Sequence, residues 1–328
     1  MSRGPSMPIL FKEFAVQMRG SRSALLLALL IGLASIAARL IYGAIVGQLD
    51  RGAPLVSAQI GQILFITLSL VIQALIVFLA PATTVNAISS EHERGTFAML
   101  QTTPMTPIQL VAGKLIAAFA LLLILILAVL PVFAVVLLFG GVSLADLGRV
   151  LSTMLITALL GSVFGLFCSA ATRQTYSATL LCYALLISLV GGTLLAANLW
   201  SLLNSMLPAP AIYVFANPLS AMAAALVPAR PPDIISFTGG LRPLVLLNLL
   251  TRGVIDAGAQ GVLPLYRATW MLYGGLSLIF FWLTLHLATP RRRWRPGKVD
   301  LALLLILLGY LVLAYGARDW WMAGLTRG

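Results

Sequence analysis

The sequence predicts an all-α integral membrane protein with about six to seven transmembrane helices, an N-terminal interfacial helix and a short cytoplasmic helix. Hydrophobic residues make up 60% of the 328 positions, charged residues only 9%, and the mean hydropathy is +1.03. Soluble domains carry about 25% charged residues, so this composition excludes an ordinary soluble globule. Long apolar runs recur along the chain, and basic residues cluster at their ends, as in multi-pass membrane proteins.

Seven apolar runs are long enough to cross the hydrocarbon core of a bilayer, which takes about 20 residues of helix. The first run is longer than the core of a signal peptide and is followed by no clear cleavage site, so we expect it to remain as an anchor. The runs lie at 24–46, 60–86, 108–139, 148–171, 177–199, 267–288 and 299–317.

The flanking sequence divides the chain into three parts. In residues 1–23, apolar side chains recur at three- and four-residue spacings, which predicts a cytoplasmic helix lying in the membrane interface. Residues 24–290 hold six of the spans. Residues 291–328 hold the basic run RRRWRPGK, predicted as a cytoplasmic loop, and a seventh span.

The connection at 200–266 is rich in proline and is predicted to lie outside the cell. Its two apolar pieces, 217–227 and 244–250, are too short to span a bilayer. Non-helical backbone at membrane depth must be buried in protein, so we expect short helices or a re-entrant hairpin here.

The distribution of basic residues predicts a cytoplasmic N-terminus. The net charge is +12, and the short segments on the side of the N-terminus carry twelve Lys and Arg residues against four on the other side. This places the protein in the plasma or inner membrane as a multi-pass protein. Membrane lipids with anionic headgroups, and not nucleic acid, are the expected partners of this charge.

The side chains that an ion-coupled transporter or a membrane hydrolase needs are missing from the predicted spans. An ion-coupled transporter usually places Asp, Glu or His inside a span. All nine acidic residues of this chain lie in loops or at span ends. A hydrolase needs a nucleophile beside a base, yet the two histidines, His92 and His286, both lie at the cytoplasmic side with no converging Ser and Asp.

Metal binding and ATP hydrolysis within this chain are also unsupported. Glu91, His92 and Glu93 are consecutive, so on a helix their side chains point in different directions and do not form a ligand set. The dipeptide Gly113-Lys114 has Ile108 where a P-loop requires its first glycine. We therefore expect no catalytic residue, no metal site and no cofactor in this chain.

Arg39 is the one strong charge predicted inside a span. It lies about two turns of helix from the outer end of the first run. One interpretation is that its side chain reaches the headgroups or a neighbouring helix. The other is that it lines a substrate path.

The stretch from Ser90 to Lys114 is a polar, acid-bearing insert between two long apolar runs, with Glu91 and Glu93 two positions apart. Ser89 or Ser90 is predicted to cap a short helix, with Glu93 completing a capping box. Proline residues at 104 and 107 end this element and begin the next helix.

The short helix has two possible surfaces to bind. Phe97 and Leu100 share one of its faces, so it is able to lie on lipid headgroups. It is equally able to dock onto a partner protein. Two acidic residues facing anionic lipid argue weakly for the partner.

The run SSEHERGTFAMLQTTPMTPIQLVAGK resembles a spaced motif of type-2 ABC exporter permeases, the membrane subunits of ATP-binding-cassette transporters. The pattern is E-R-G-T, then L four residues later, then T-P, then G-K. The opening PILFKEFAVQMRGSRSALLL is similar to that family's entry helix, and Asn217-Pro218 is similar to its outer-loop segment. The motif positions here are Glu93, Arg94, Gly95, Thr96, Leu100, Thr103, Pro104, Gly113 and Lys114.

The resemblance implies a permease subunit that exports its cargo with ATP hydrolysed by a separate nucleotide-binding subunit. ATP and Mg would then lie on that ABC ATPase subunit, and a second permease subunit, identical or related, would complete the path. The segment 87–107 would be the coupling segment, whose short coupling helix docks into the ATPase. The implied coupling residues are Glu91, Glu93, Arg94, Gly95, Thr96 and Phe97.

Two motif residues have open roles. Gly95 is expected to permit close backbone approach. Lys114 either belongs to the coupling site or anchors its span by reaching the headgroups.

Two alternatives to the permease remain from the residues alone: an ion-coupled secondary transporter, and a membrane enzyme of lipid or sugar chemistry. The chain also departs from the family in one respect. Family permeases usually have six spans with both ends in the cytoplasm, whereas 299–317 predicts a seventh.

Overall fold

The computed structural model describes residues 57–95, 107–172, 174–204, 210–229, 264–288 and 298–322, with Leu250 and single residues between 28 and 43. Within these ranges the chain forms helices and turns and no strand, so the predicted all-α class is confirmed. The helices, in chain order, are α1 (Ser57–Ala82), α2 (Ser89–Glu93), α3 (Pro107–Leu138), α4 (Leu144–Ala171), α5 (Thr175–Leu203), α6 (Ala211–Phe215), α7 (Pro218–Leu226), α8 (Leu265–Ala288), α9 (Lys298–Gly316) and α10 (Arg318–Trp321).

Six of the described helices are long and apolar enough to cross a membrane. They correspond to the six predicted runs from 60 to 317, so a multi-pass membrane protein is confirmed. The described residues between 28 and 43 are helical, but most of the first predicted span, and all of residues 1–23, lie outside the described residues. The six helices are Ala58–Ala82, Ile108–Leu138, Leu144–Ala171, Thr175–Leu203, Leu265–Ala288 and Val299–Gly316.

Helix α1 lies at the centre of the helix bundle and packs against α3, α4 and α7. Phe65 and Ile66 are fully buried there. The Phe65 ring meets the edge of Phe133 of α3, with ring centroids 5.6 Å apart. Most of the α1 surface is buried, so its apolar residues are not confined to one face, which explains why α1 shows little amphipathic pattern in the sequence.

Two of the predicted boundaries that differ from the structure do so for local reasons. The second run was predicted to continue to residue 86, but α1 ends at Ala82. The Thr83 hydroxyl donates to the Ala80 carbonyl at 2.8 Å and the Thr84 hydroxyl to the Pro81 carbonyl at 3.3 Å, so side chains satisfy the last carbonyls of the helix. At the other boundary, α4 begins at Leu144 and not at 148, because Ser143 and Asp146 form a capping box.

The predicted short helices in the 200–266 connection are confirmed where the chain is described. Helices α6 and α7 and a 3-10 turn at Val227–Ala229 lie here, and α7 is buried along its whole length among α1, α4 and α8. The Asn217 side chain caps α7 by accepting from the Leu219 N–H at 2.9 Å. Gln73 of α1 donates to the Pro218 carbonyl at 3.2 Å and to the Thr157 hydroxyl of α4 at 2.9 Å. Of the second apolar piece, 244–250, only Leu250 is described.

The seventh predicted run forms α9, which packs on α8. The Tyr310 hydroxyl donates to the Met271 carbonyl at 2.6 Å, and its ring lies where a side chain on Gly274 would have to be. At the opposite end of the pair, His286 Nε2 lies 3.3 Å from a carboxylate oxygen of Asp300. The two helices therefore form an antiparallel hairpin.

Contacts at the two ends of this hairpin show which ends of the helices lie together. Leu285, Ala288 and Leu303 share an apolar cluster with Ile88, which immediately precedes α2. At the other end, the Arg267 guanidinium lies 4.8 Å from the Trp320 ring centroid of α10. Helix α2 and the beginning of α9 thus lie at one end of the bundle, and α10 lies at the other.

Candidate functional site

Helix α2 is a five-residue helix at the end of α1, and a hydroxyl from another span caps it. The Ser169 Oγ of α4 accepts hydrogen bonds from the Ile88 N–H at 2.9 Å and the Ser89 N–H at 3.0 Å. Both N–H groups are otherwise orphaned at a helix start. The predicted capping box is wrong: the Ser90 hydroxyl bonds back to the Asn86 carbonyl, and α2 has no side-chain cap of its own.

The carboxylate of Glu93 reaches α5 instead of its own helix. It accepts from the Thr175 N–H at 2.6 Å and from the Thr175 hydroxyl at 2.8 Å. Thr175 is the first residue of α5, and the preceding Gln174 makes no side-chain cap. An anionic group at a helix N-terminus is favoured by the exposed N–H groups and by the helix dipole. The hydrogen bond from the Thr175 N–H, assisted by the Thr175 hydroxyl, lowers the pKa of Glu93.

The carboxylate of Glu91 reaches α3. Lys114 Nζ lies 2.7 Å from a Glu91 oxygen, and only 7% of the Lys114 side chain and 19% of the Glu91 side chain are exposed. The Lys114 ammonium group is held inside the protein by this contact, and its role as part of the coupling site or as an anchor of its span stays a prediction. A charge-assisted hydrogen bond with this little exposure is stronger than a surface ion pair.

Apolar side chains hold the same segment to the spans. Val85 is 2% exposed and packs in a cluster with Cys168 of α4 and Cys182 of α5. Ile88 is fully buried in the second cluster, with Val111 of α3 and residues of α4, α8 and α9. The turn between α1 and α2 is thus packed into the bundle on both sides.

The exposed part of this segment is its C-terminal end. Glu93, Arg94 and Gly95 are exposed, whereas Ser89 is buried and Glu91 and His92 are half-buried. Gly95 has a φ of +68°, the left-handed conformation that commonly ends helices. Among the described residues, no atom lies within 4 Å of the place where a Cβ on Gly95 would be, so it is the left-handed conformation that favours glycine here.

The remaining predicted site residues are placed as follows. Thr96 and Phe97 lie outside the described residues, so their predicted coupling role stays a prediction. Arg39 lies in the helical stretch between 28 and 43 and is exposed. Within the described ranges, no group of three or more His, Cys, Asp or Glu residues is arranged to hold a metal ion.

Sequence reasoning missed Ser169 and Thr175. Each is a hydroxyl residue near the end of an apolar run, which the sequence shows. Their partners lie about 80 residues away in the chain, and no local spacing connects the two segments.

A family model described as "ABC-2 family transporter protein" matches residues 7–317. The chain belongs to the ABC-2 transporter family. The match confirms the resemblance carried by the motif from Glu93 to Lys114, and it extends beyond the motif over nearly the whole chain. A comparison with curated proteins gave no match. This ABC-2 protein is accordingly a membrane component of a transporter, that is, an ABC permease subunit.

The family match changes how the α2 site is interpreted. The family implies association with an ABC ATPase subunit, and contact through the segment between the second and third predicted spans stays a prediction. Here that segment carries a short helix attached to α3, α4 and α5 and an exposed end at Arg94 and Gly95. Through these contacts, a displacement of the exposed end of α2 would also displace α3, α4 and α5.

Proposed function

We propose that this ABC-2 permease exports its cargo with energy from a separate ABC ATPase subunit, which binds ATP and Mg²⁺ and docks at α2. The N-terminus and α2 lie in the cytoplasm, and the protein resides in the plasma or inner membrane. Two permease subunits, identical or related, enclose the path between their spans. Closure of the ATPase subunits on ATP then shifts the permease from an inward-open to an outward-open state. The difference between the affinities of the two states for ATP sets the size of this shift.

The observation that carries this proposal is the attachment of α2 to three spans. A surface helix that merely rests on lipid needs no polar contacts to the bundle. Helix α2 has an ion pair to α3, a cap from α4 and two hydrogen bonds to α5. Motion of α2 is therefore coupled to motion of the spans.

The ion-coupled alternative has less support from the described spans. Asp146 and Asp300 are the acidic residues within the described span-length helices, and each lies in the first turn of its helix. Asp146 pairs with Arg149 and Asp300 with His286. Neither carboxyl group lies at mid-span, where a coupling ion is usually bound.

The direct test is co-purification of the tagged permease with a co-expressed ABC ATPase identified by its GxxxxGK[ST] sequence. We expect a stable complex in detergent, with an Mg-ATP hydrolysis rate that differs between the free ATPase and the complex reconstituted in liposomes. Turnover of a lipid or sugar substrate by the permease alone would support the enzyme alternative and contradict the proposal. Uptake driven by an ion gradient in vesicles without ATP would contradict it in favour of a secondary transporter.

Export is tested separately by comparing metabolites in cells with and without the permease. Loss of an exporter makes its cargo accumulate inside the cell. Accumulation in the medium would indicate import and contradict the proposed direction.

A further inference from the structure

Helix α2 is held from opposite flanks by groups on different spans. Residues 91 and 93 are separated by about 200° around a helix that turns 100° per residue. Glu91 is held by Lys114 of α3 and Glu93 by Thr175 of α5, while Ser169 of α4 holds the N-terminus of α2. A helix held on both flanks and at one end cannot rotate or slide without moving the spans that hold it.

These contacts use the same carboxylates that the family resemblance implies for the ATPase interface. Oxygen atoms of Glu91 and Glu93 already accept hydrogen bonds from Lys114 and Thr175 within this chain. The Arg94 side chain, in contrast, is exposed next to the left-handed Gly95. The two acidic residues and the arginine thus face different surroundings although they are neighbours in sequence.

We propose that Glu91, Glu93 and Ser169 are positioning residues that transmit motion from α2 to the spans, whereas binding of the ATPase rests on the exposed Arg94. The inference rests on the proposed function and divides the motif into a docking part and a transmission part. Because Arg94 is an exposed cation, the docking surface on the ATPase is expected to present an acidic group to it.

The contacts differ in strength, so substitutions that remove them should differ in how much they weaken the coupling between α2 and the spans. Lys114 and Glu91 form a charged pair with little exposure, and removal of one partner takes this charge-assisted hydrogen bond away from the other. Ser169 supplies one oxygen to two N–H groups, so Ser169→Ala leaves both without this acceptor. Thr175→Val removes the hydroxyl contact with Glu93 and a long contact from the Ser89 hydroxyl at 3.4 Å, but it keeps the backbone contact with Glu93, so it should have the smallest effect.

The experiment measures two quantities on the co-purified complex in liposomes: the Kd of the ATPase subunit for the permease, and the ratio of ATPase rates with and without permease. The transmission variants are Ser169→Ala, Glu91→Gln and Thr175→Val. Ser162→Ala is the matched control, because Ser162 is a fully buried serine of the same helix α4 whose hydroxyl donates only to its own helix at the Ala158 carbonyl.

We expect the transmission variants to keep Kd within about twofold. Ser169→Ala and Glu91→Gln should move the rate ratio about tenfold or more towards one, as loss of a buried hydrogen-bond partner implies. Arg94→Glu should raise Kd about tenfold or more, as reversal of an interfacial charge does. Ser162→Ala should change neither quantity. The exchanged pair Glu91→Lys with Lys114→Glu should recover most of the ratio lost by Glu91→Gln, which a general loss of packing would not allow.

A different pattern would overturn the inference. If Ser169→Ala and Glu91→Gln raise Kd as much as Arg94→Glu does, with an unchanged rate ratio for the bound complex, these residues belong to docking. If the variants lower yield and thermal stability and the exchanged pair fails to restore the ratio, their role is folding alone. Failure of the unaltered permease to bind any ABC ATPase would instead contradict the proposed function itself.

Discussion

Glu93 caps a helix to which it does not belong, accepting from both the backbone N–H and the hydroxyl of Thr175 at the start of α5, at 2.6 and 2.8 Å. The two residues are 82 positions apart in sequence. The contact connects the family motif to α5, a span outside the motif. Protonation of the exposed Glu93 carboxyl would therefore weaken a contact between α2 and α5.

The first prediction concerns pH. The hydrogen bonds from Thr175 lower the pKa of Glu93 from its ordinary value of 4.5. A lowered folded-state pKa means that the stabilisation is complete above about pH 4.5 and is lost as the pH falls through the lower, folded-state value. Thermal unfolding of the purified protein from neutral pH down to about pH 3 should show a constant difference between wild type and Glu93→Gln above pH 4.5 that shrinks below it. A difference that grows on acidification would contradict the contact.

The second prediction concerns Asn217, which is fully buried. Its side chain caps α7 and also donates to the Val190 carbonyl at 2.8 Å and the Thr193 hydroxyl at 2.7 Å of α5. Asn217→Ala should lower the free energy of unfolding by about 1–3 kcal/mol, from the lost cap and the lost interhelical bonds. Unfolding in a denaturing detergent series measures this change.

The control for that experiment is Asn198→Ala. The Asn198 amide donates only to the Leu194 carbonyl of its own helix at 2.7 Å. We expect a change within about 0.5 kcal/mol. Equal losses for both variants would mean that the junction between α5 and α7 is not held by Asn217.

The third prediction concerns the close packing of α4 on α1. A Cβ at Gly165 would lie 2.7 Å from the Pro81 carbonyl oxygen and would overlap the Thr84 hydroxyl. Gly165→Ala should therefore destabilise the protein by about 1–3 kcal/mol through overpacking. Gly148→Ala is the matched control in the same helix, since a Cβ there meets nothing within 4 Å and helix propensity favours alanine by about 0.5–1 kcal/mol. The same unfolding assay should give opposite signs for the two variants.

The fourth prediction concerns the side of the membrane on which each end of the bundle lies. Gln174, beside α2, and Asp319, in α10, are exposed at opposite ends of the bundle. With a cytoplasmic α2, a membrane-impermeant maleimide added to intact cells should label Asp319→Cys and not Gln174→Cys. The native Cys168 and Cys182 are fully buried and should give little background. Labelling of Gln174→Cys alone would show that α2 lies outside the cell and would contradict the proposed orientation.

The sequence determined the parts of the fold that depend on local composition. A run of apolar residues long enough to span a bilayer forms a helix whatever its neighbours are, because its backbone polar groups have no other partners in lipid. The six described spans were therefore predicted to within a few residues, and the motif from Glu93 to Lys114 indicated the family that residues 7–317 confirm. Side-chain caps at Thr83 and Ser143 account for the shifted boundaries.

The tertiary structure decided what the polar residues of the motif do. From sequence, Glu93 was expected to complete a cap with Ser90, and Lys114 had two possible roles. In the folded chain, Ser169 supplies the cap, Glu93 binds Thr175 and Lys114 binds Glu91. A carboxylate or hydroxyl accepts from whichever donor the packing of distant spans brings within about 3 Å. Local spacing determines which helices form, but the packing of those helices determines which polar groups meet.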